Sequence, residues 1–592
     1  MGDVPKSGQE GSAYQMEQCL HQTPVAYRQL AGSAVDWLPM TRLFRGAAAL
    51  AVAALAPAAG FAQPPNNPLA RLEAGYDSLR YLRDQIAVTK DRGVQTSIHG
   101  QTLEGLMDLA ASIRDEVRGE LARVAVTRLR PSDRAAVAHI DQAFSRMGWP
   151  PGGTFAGGSG EAEPECRYDP STIGRSDSAV GRLQARIFAC YGHAAQHVII
   201  GRDTLNRLTV LGLLGTTDDR ARREQLFRAL EPIWRSVNGA DEPDSPYRVL
   251  IPLRRASWAR PSNPFAERAA SAGLTEAGLE RWLVAALEAW RATLPDTVLE
   301  PWDFHHFVGA ASRTLSPLVP RDSLIPVNRR FYLALGASID SLGVRYDIDP
   351  RPAKYPTSYT TFGARPVERA GRWVRSEPWI FTSYQTGGFD NLFELLHETG
   401  HAVHIAAIRA RPAYADWPDS DTFTEGIADL ASLEVFEPSW QRTFLGHSAP
   451  LAESVRAKYG GVILDIAWAL FELRAHRRGA PSPNAVWDDL MSRYLKIRPH
   501  PEWSWWAMRG QLVESPGYMM NYALGAFVVA DVRRTLAMRY GPITTGRTSW
   551  YREVSDRIYR FGLARPADRI ISDVLGRGVS SQALLDDLTR IR

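Results

Sequence analysis

The stretch Leu392–His401 reads LFELLHETGH, and it contains the motif His397-Glu398-x-x-His401. In an α-helix, residues four apart lie on the same face, one turn above each other. His397 and His401 can therefore bind one zinc ion through their imidazole rings. Glu398 lies beside them and is the expected general base, which takes a proton from a water activated by the metal. This spacing is the signature of zinc peptidases, so we predict a zinc-binding helix here.

A second acidic motif supplies the expected third ligand. Catalytic zinc needs three protein ligands and one open position, and two histidines leave the ion one ligand short. Glu425, in the segment FTEGIAD, lies 24 residues after His401, which leaves room for a helix end, a loop and a second helix. Asp429 follows one turn later and is expected to accept the free ring N–H of a ligating histidine. An alternative stays open, because Thr422-x-x-Glu425 also fits a helix capping box.

The limits of the zinc helix are also predicted from the sequence. Asp390 is a fitting N-cap, and the helix is expected to end near Arg411-Pro412. His404 follows His401 by three residues, on nearly the same face. We expect His404 to pack or to support the ligands, because a fourth ligand would close the site.

The composition restricts the class of protein. The chain has 592 residues, 45% of them hydrophobic, which is ample for a large core. The formal net charge of +4 gives no nucleic-acid footprint, so no nucleic-acid partner is expected. None of the three cysteines has C-x-x-C spacing, which argues against a thiolate zinc site. The sequence also lacks a Walker-type phosphate loop and a G-x-S-x-G motif.

The N-terminal region carries a secretion-signal pattern. Residues 40–62 begin with the basic segment MTRLFR, continue with a run rich in Ala and Leu, and end in small residues. We predict a signal peptide over 40–62 that is cleaved after Ala62, with residues 1–39 as a non-native extension ahead of a true start at Met40. The apolar run is too short for a transmembrane helix, so no stable membrane anchor is expected after cleavage. The alternative is a buried Ala-rich helix.

Export would place the mature chain in the periplasm or outside the cell, where disulfides persist. Cys166 and Cys190 would then be the two remaining thiols. A disulfide between them would contribute about 3 kcal/mol of stability on the loop-closure model. Two reduced, separately buried cysteines are the alternative.

Apolar residues recur at helical spacing through most of the chain, as at Leu79, Leu82 and Ile86. Residues 351–388 break this pattern, because they are rich in Pro, Gly, Ser, Thr and Tyr. Within them, the run 379–384 (WIFTSY) predicts a short strand immediately before the zinc helix. The sequence therefore predicts a mainly α protein with a little sheet.

The metal motifs carry a family resemblance. The combination of His397-Glu398-x-x-His401 with Glu425-x-x-x-Asp429 resembles the gluzincin zinc metallopeptidases. The distance to Glu425, and the sequence EGIAD itself, are similar to the angiotensin-converting enzyme (peptidyl-dipeptidase) family. Other segments resemble the thimet oligopeptidase family: His404, the strand 379–384 with the following Gly387–Asp390, Trp302-Asp303, and Gly517–Tyr522.

The resemblance covers roughly residues 300–530, and it implies a fold and a substrate class. Both families are mainly α, with a two-lobed helical clamshell, a deep channel and a short β-sheet beside the active site. It also implies peptide substrates. In both families, the segment that Gly517–Tyr522 resembles supplies a phenol that donates to the oxyanion formed by water attack.

Tyr518 and Tyr522 are the candidates for this catalytic role. They are one helical turn apart, so both can face the same side. An oxyanion donor is worth about 10²–10³ in rate. The alternative is that both tyrosines are ordinary core aromatics.

The chain departs from the oligopeptidase pattern in this region. Val513 stands where that family has a histidine, and Gly525 stands where it has a further tyrosine. Gln511, Arg509 and His500 are therefore further candidates for stabilising the transition state.

Together these features predict an exported zinc metallopeptidase that hydrolyses peptide bonds in peptides or oligopeptides. One Zn²⁺ is expected on His397, His401 and Glu425, with Glu398 as the base. The helical metallopeptidase domain is expected over 63–592, with the zinc-site core at about 300–530. We also expect the strand 379–384 to hydrogen-bond an extended substrate, as an edge strand can.

Two alternative functions remain open. The first is a dipeptidyl carboxypeptidase or a simple carboxypeptidase, which needs a cationic group for the free C-terminus of the substrate. Arg509 and Lys458 are the candidates for that group. The second is a non-catalytic, zinc-containing peptide-binding protein, against which the presence of Glu398 argues because binding needs no base.

Overall fold

The computed structural model describes residues 67–152, 166, 177–258, 263–351, 354, 358–369 and 372–591. The predicted extension and signal peptide, residues 1–62, lie outside these ranges. Among the helices of the described ranges, none has the combined length and hydrophobicity that a bilayer span requires.

The first described helices form a small N-terminal unit with its own apolar core. They are α1 (Pro68–Asp91), α2 (Leu103–Arg123) and α3 (Pro131–Arg146). Asn67 caps the first of them by accepting a hydrogen bond from the backbone N–H of Leu69 at 3.0 Å.

A long series of helices with one β-hairpin follows. Its elements are α4 (Asp177–Gln196), β1 (Val198–Ile200), β2 (Asp203–Leu205), α5 (Arg207–Thr216), α6 (Arg220–Arg228), α7 (Glu231–Asn238), α8 (Pro246–Ser257), α9 (Pro264–Ser271), α10 (Glu276–Arg291), α11 (Pro301–Val308), α12 (Ala310–Leu315), α13 (Leu324–Ala334) and α14 (Ile339–Leu342). A disulfide joins Cys166 to Cys190 of α4, with the two Cα atoms 5.7 Å apart. The structure thus selects the bonded alternative for these cysteines.

The sheet region comes next and corresponds to the break in helical pattern. Its strands are β3 (Arg345–Asp347), β4 (Tyr359–Phe362), β5 (Val367–Arg369), β6 (Arg372–Val374) and β7 (Pro378–Phe381). In the three-stranded sheet, β7 lies in the middle, parallel to β3 and antiparallel to β4. The predicted strand over 379–384 therefore exists, but it is shorter and is not an edge strand. The expectation that it pairs with a substrate is wrong, because both of its backbone edges are already used.

The C-terminal part is again helical. Its helices are α15 (Phe389–Ala407), α16 (Asp421–Ser432), α17 (Pro438–Leu445), α18 (Leu451–Ala475), α19 (Pro483–Leu490), α20 (Gln511–Glu514), α21 (Met519–Tyr540), α22 (Trp550–Arg557), α23 (Ala567–Leu575) and α24 (Gln582–Leu588).

Two large apolar cores account for most of the buried side chains. The first joins α4–α10 to α18 and the first half of α21, and the second joins α13, β7, α15 and α16 to the second half of α21. Helix α21 belongs to both, with Phe527 in the first core and Val528 in the second. The mainly α, two-lobed prediction with a short sheet beside the metal helix is confirmed.

Candidate metal centre

Helix α15 carries the HExxH motif, and its start differs from the prediction. The N-cap position is Gly388, whose φ of 119° lies in the region that favours glycine. Asp390 lies one residue inside the helix, where it accepts a hydrogen bond from Ser312 Oγ at 2.7 Å. The helix ends at Ala407, four residues before the predicted end at Arg411.

Helix α16 brings the third acidic residue to the two histidines. Its N-cap is Ser420, whose side chain accepts from the backbone N–H of Phe423 at 3.2 Å. Thr422 therefore lies inside the helix, and the capping-box alternative for Thr422 and Glu425 is wrong. The Glu425 carboxylate is left to face α15.

A glycine makes the close approach of α15 and α16 possible. A Cβ atom on Gly400 would lie 2.1 Å from the carbonyl oxygen of Ala428, which no side chain can tolerate. Gly400, between the two halves of the HExxH motif, thus lets α16 pack directly against the metal helix. This close packing brings His401 and Glu425, which are far apart in sequence, close together in space.

The donor atoms of His397, His401 and Glu425 all lie within 4.8 Å of one another. The two Nε2 atoms are 3.2 Å apart, and Glu425 Oε2 is 3.6 Å from each of them. Ligands at about 2.0–2.2 Å from a tetrahedral zinc are separated by about 3.3–3.6 Å. Two imidazoles and one carboxylate also match the donor set of catalytic zinc, so these residues fit the ion.

The electrostatics of the three residues favour a cation between them. Burial alone would raise the pKa of Glu425, but the imidazoles of His401 and His397 hold it at about 2. Its carboxylate is therefore ionised at neutral pH. An ionised carboxylate with two imidazole nitrogens presents the charge and lone pairs that a divalent metal needs.

Asp429 orients one of the histidines. His397 Nδ1 lies 2.8 Å from Asp429 Oδ1, and the hydroxyl of Ser432 donates to the same oxygen at 2.6 Å. The Nδ1–H of His397 is thereby held by a carboxylate, which leaves Nε2 as the lone-pair nitrogen that faces Glu425. Burial alone would lower the pKa of His397, but without the ion Asp429 raises it well above its usual value, so zinc binding would have to displace the Nε2 proton.

Glu398 is fully buried beside the cluster. Its Oε2 accepts a hydrogen bond from the hydroxyl of Thr360 in β4 at 2.6 Å. Its Oε1 has no hydrogen-bond partner among the described residues. Burial raises the pKa of Glu398, against the opposing effect of the two imidazoles. The short sheet therefore holds one carboxylate oxygen and leaves the other to accept a proton.

A cavity of about 390 Å³ opens beside the donor atoms. His397 and Glu425 line it, and so does Tyr522 from α21. Tyr518 stands at the N-cap of α21, with its ring centroid 5.6 Å from that of Tyr522, but it is not among the lining residues. Of the two candidate oxyanion donors, the structure places Tyr522 at the cavity wall.

The other three candidates for stabilising the transition state do not line the cavity. Arg509 is buried, forms an ion pair with Asp465 and stacks over the ring of Trp468 at 4.7 Å. His500 stacks on Trp503 at 4.0 Å between ring centroids. Gln511 is buried in α20. None of Arg509, His500 and Gln511 is among the residues that line the cavity.

His404 is a packing residue. It is completely buried, and its ring stacks on Tyr559 at 4.9 Å and meets Trp417 edge-on at 5.6 Å. Burial lowers the pKa of His404 to about 3, so the ring is neutral. It is not part of the three-residue donor cluster.

Glu394 is a site residue that sequence reasoning missed. It is 2% exposed, lies one turn before His397 on α15 and lines the same cavity. Burial and the nearby Glu398 raise the pKa of Glu394 to about 8, against hydrogen bonding with Tyr384 and Ser358. The sequence feature that could have revealed Glu394 is its position as a single acidic residue among Leu392, Phe393, Leu395 and Leu396.

Comparisons with known proteins add information on the fold. No family model matches the chain, and no curated protein matches it in sequence. A solved structure described as CHT is 14% identical, with 88% of this chain and 98% of that chain covered and a TM-score of 0.50. At this identity, the likeness supports a shared mainly helical fold.

Two carboxypeptidase structures are also similar, at lower TM-scores. Metallocarboxypeptidase 1 of Trypanosoma cruzi is 15% identical, with 88% of this chain and 99% of that chain covered and a TM-score of 0.47. The M32 carboxypeptidase of Deinococcus radiodurans R1 is 14% identical, with 88% and 97% covered and a TM-score of 0.48. The resemblance to the thimet oligopeptidase and angiotensin-converting enzyme families stays a prediction.

Proposed function

We propose that this protein is a zinc metallopeptidase that hydrolyses peptide bonds in peptides or oligopeptides. His397, His401 and Glu425 would hold one zinc ion. The observation that carries the proposal is the convergence of these three donors beside a buried glutamate with one unengaged oxygen, with His397 and Glu425 at the wall of a cavity. Bound there, zinc would supply Lewis-acid polarisation and would lower the pKa of a water molecule.

The side chains of this chain have separate tasks in the reaction. Glu398 Oε1 accepts the proton of the attacking water and later delivers it to the leaving amine. Thr360 holds Glu398 Oε2, so the carboxylate keeps one orientation during both transfers. Asp429 keeps the proton of His397 on Nδ1. Tyr522 is the candidate donor to the oxyanion of the tetrahedral intermediate, because its side chain lines the cavity.

A carboxypeptidase mode is the second candidate, and one observation favours it. Of the two cationic residues considered for a substrate C-terminus, Lys458 lines the cavity with His397, whereas Arg509 is not among the lining residues. The Lys458 ammonium contacts the Asp587 carboxylate at 2.5 Å, so it would have to share that partner with a substrate. Matched peptides with free and amidated C-termini discriminate the modes. Cleavage of both supports an endopeptidase, and cleavage of the free form alone supports a carboxypeptidase.

The experiment that tests the function compares the wild type with Glu398→Gln. Both proteins are loaded with zinc, the metal content is measured by elemental analysis, and each is incubated with a mixed peptide library read by mass spectrometry. We expect equal zinc contents, cleavage by the wild type and a loss of nearly all turnover in the variant. Wild-type rates in Glu398→Gln contradict the mechanism. Zinc binding without cleavage of any peptide by the wild type supports the alternative of a peptide-binding protein.

We also propose that the mature protein is exported to the periplasm or the extracellular space. The Cys166–Cys190 disulfide supports this proposal, since disulfides persist in oxidising compartments. N-terminal sequencing of the exported protein is expected to start at Gln63. An intact Met1 on exported protein contradicts the proposal.

A further inference from the structure

The charges around the cavity are almost all balanced within the protein. Six acidic residues line it besides Glu394, and each contacts a basic residue or a candidate metal ligand: Glu434 with Arg533, Glu437 with Arg590, Asp586 with Arg534, Asp587 with Lys458, Asp429 with His397, and Glu425 with His397 and His401. Glu394 is the exception, because it has no ion-pair partner among the described residues. Of the acidic residues that line the cavity, Glu394 is also the nearest in sequence to His397, one helical turn away.

The Glu394 side chain is buried at the wall of the cavity. The residue is 2% exposed, yet it lines the cavity. The side chains of Tyr384 and Ser358 lie beside it. Oε1 has no hydrogen-bond partner among the described residues. A buried carboxyl with an unsatisfied acceptor at a cavity wall is costly unless a ligand supplies the missing donor.

The rest of the wall suits a long cationic side chain. Phe393, Leu433, Val462, Ala526 and Val529 line the same cavity and give it an apolar surface. Lysine and arginine bury their methylene stems along such surfaces and keep the charged head for a carboxylate. Their cationic N–H groups form charge-assisted hydrogen bonds, which are the stronger class. A cation beside Glu394 also lowers the pKa that burial has raised, so the carboxyl group ionises when such a side chain binds.

We propose that Glu394 determines specificity, by accepting hydrogen bonds from a lysine or arginine side chain of the peptide substrate near the scissile bond. The proposal rests on the peptidase function proposed above. It assigns the cavity beside His397 to a basic side chain of the substrate. That side chain would be the ion-pair partner that Glu394 lacks among the described residues.

The test uses peptide pairs that differ at one position, with arginine against citrulline, or lysine against norleucine. The position is moved along both sides of the scissile bond, and kcat/KM is measured with the zinc-loaded protein. At one position, the wild type is expected to prefer the cationic peptide about tenfold or more, as for a charged hydrogen bond. Glu394→Gln is expected to bring the ratio at that position close to one.

Asp586→Asn is the matched control. Asp586 lines the same cavity, but its carboxylate is 42% exposed and paired with Arg534. This variant removes one negative charge from the wall and is expected to keep the preference within about twofold of the wild type. Glu394→Asp, which retracts the carboxylate by one methylene, is the second variant and is expected to lower the ratio several-fold. A wild-type ratio within twofold at every position, or an unchanged ratio in both Glu394 variants, overturns the proposal.

A binding measurement separates this proposal from the peptidase function. The same peptide pairs are titrated by calorimetry into zinc-loaded Glu398→Gln, with and without Glu394→Gln. A tenfold preference in binding that Glu394→Gln removes supports the role of Glu394, even where the wild type cleaves nothing. Cleavage by the wild type without any such preference keeps the peptidase function and overturns the role of Glu394.

Discussion

Replacement of Asp429 tests how the proposed zinc site is organised beyond its three proposed ligands. The Asp429 carboxylate lies 2.8 Å from His397 Nδ1 and is 16% exposed, so it is a partly buried, charge-assisted contact. Loss of such a partner to a ligating histidine typically costs 10–100-fold in metal affinity, or about 1.4–2.7 kcal/mol. We expect the loss of zinc affinity in Asp429→Asn to lie near the lower limit, because the amide keeps an acceptor oxygen. Asp429→Ala is expected near the upper limit, because His397 then loses its partner.

The assay is a zinc titration in competition with a chelator of known affinity, run at constant pH for the wild type and each variant. Asp586→Asn is the control, since it removes an acidic charge from the same cavity wall without touching a histidine. Its apparent Kd for zinc should stay within about twofold of the wild type. A zinc Kd of Asp429→Ala that also stays within twofold refutes the reasoning that His397 is held by its Nδ1 contact.

Three further predictions concern packing, catalysis and pH. Gly400→Ala places a Cβ 2.1 Å from the carbonyl oxygen of Ala428, so we expect it to cost about 1–3 kcal/mol in denaturant unfolding and to lower the zinc content; wild-type values for both contradict the close approach. Tyr522→Phe is expected to lower kcat about 10²-fold with the zinc content unchanged, and an unchanged kcat excludes Tyr522 as the oxyanion donor. Burial, and secondly the charge of Arg254, lowers the pKa of His476 to about 3 in the folded protein. Between about pH 6.5 and 3 the unfolded chain therefore binds more protons than the folded chain, and the free energy of unfolding falls as the pH is lowered through that window. The loss should be several kcal/mol, and His476→Gln should show a shallower fall in unfolding experiments across this range; the same slope in both proteins contradicts the assignment.

Local sequence signals predicted the three donors of the proposed metal site. Helical spacing alone brings His397 and His401 together, because residues four apart share a face whatever surrounds the helix. The position of Glu425 followed from the chemical requirement for a third ligand and from a second helix long enough to carry Asp429 one turn later. The structure brings all four residues into the expected contacts.

The errors arose where distant parts of the chain decide the outcome. Asp390 has the right chemistry for an N-cap, but Ser312 from α12 holds its carboxylate and Gly388 takes the cap position. The strand over 379–384 resembled an edge strand because sequence does not show its partners. Strand β3 lies more than thirty residues upstream and covers its second edge.

The two residues that the sequence did not reveal show the same limit. Glu394 resembles a solvent-facing charge on a helix, and only the position of the cavity shows that it is buried and faces inward. Thr360 carries no motif, yet β4 brings its hydroxyl to Glu398. Both roles depend on which elements pack against α15, and no spacing rule within the helix contains that information.

The zinc content of the purified protein tests the central claim most directly. We predict one zinc per chain in the wild type by elemental analysis after dialysis against metal-free buffer. In Glu425→Ala, which leaves two of the three donors, the retained zinc should fall well below one per chain. A wild type that retains no zinc, or a Glu425→Ala variant that retains as much as the wild type, contradicts the claim that His397, His401 and Glu425 form one metal centre.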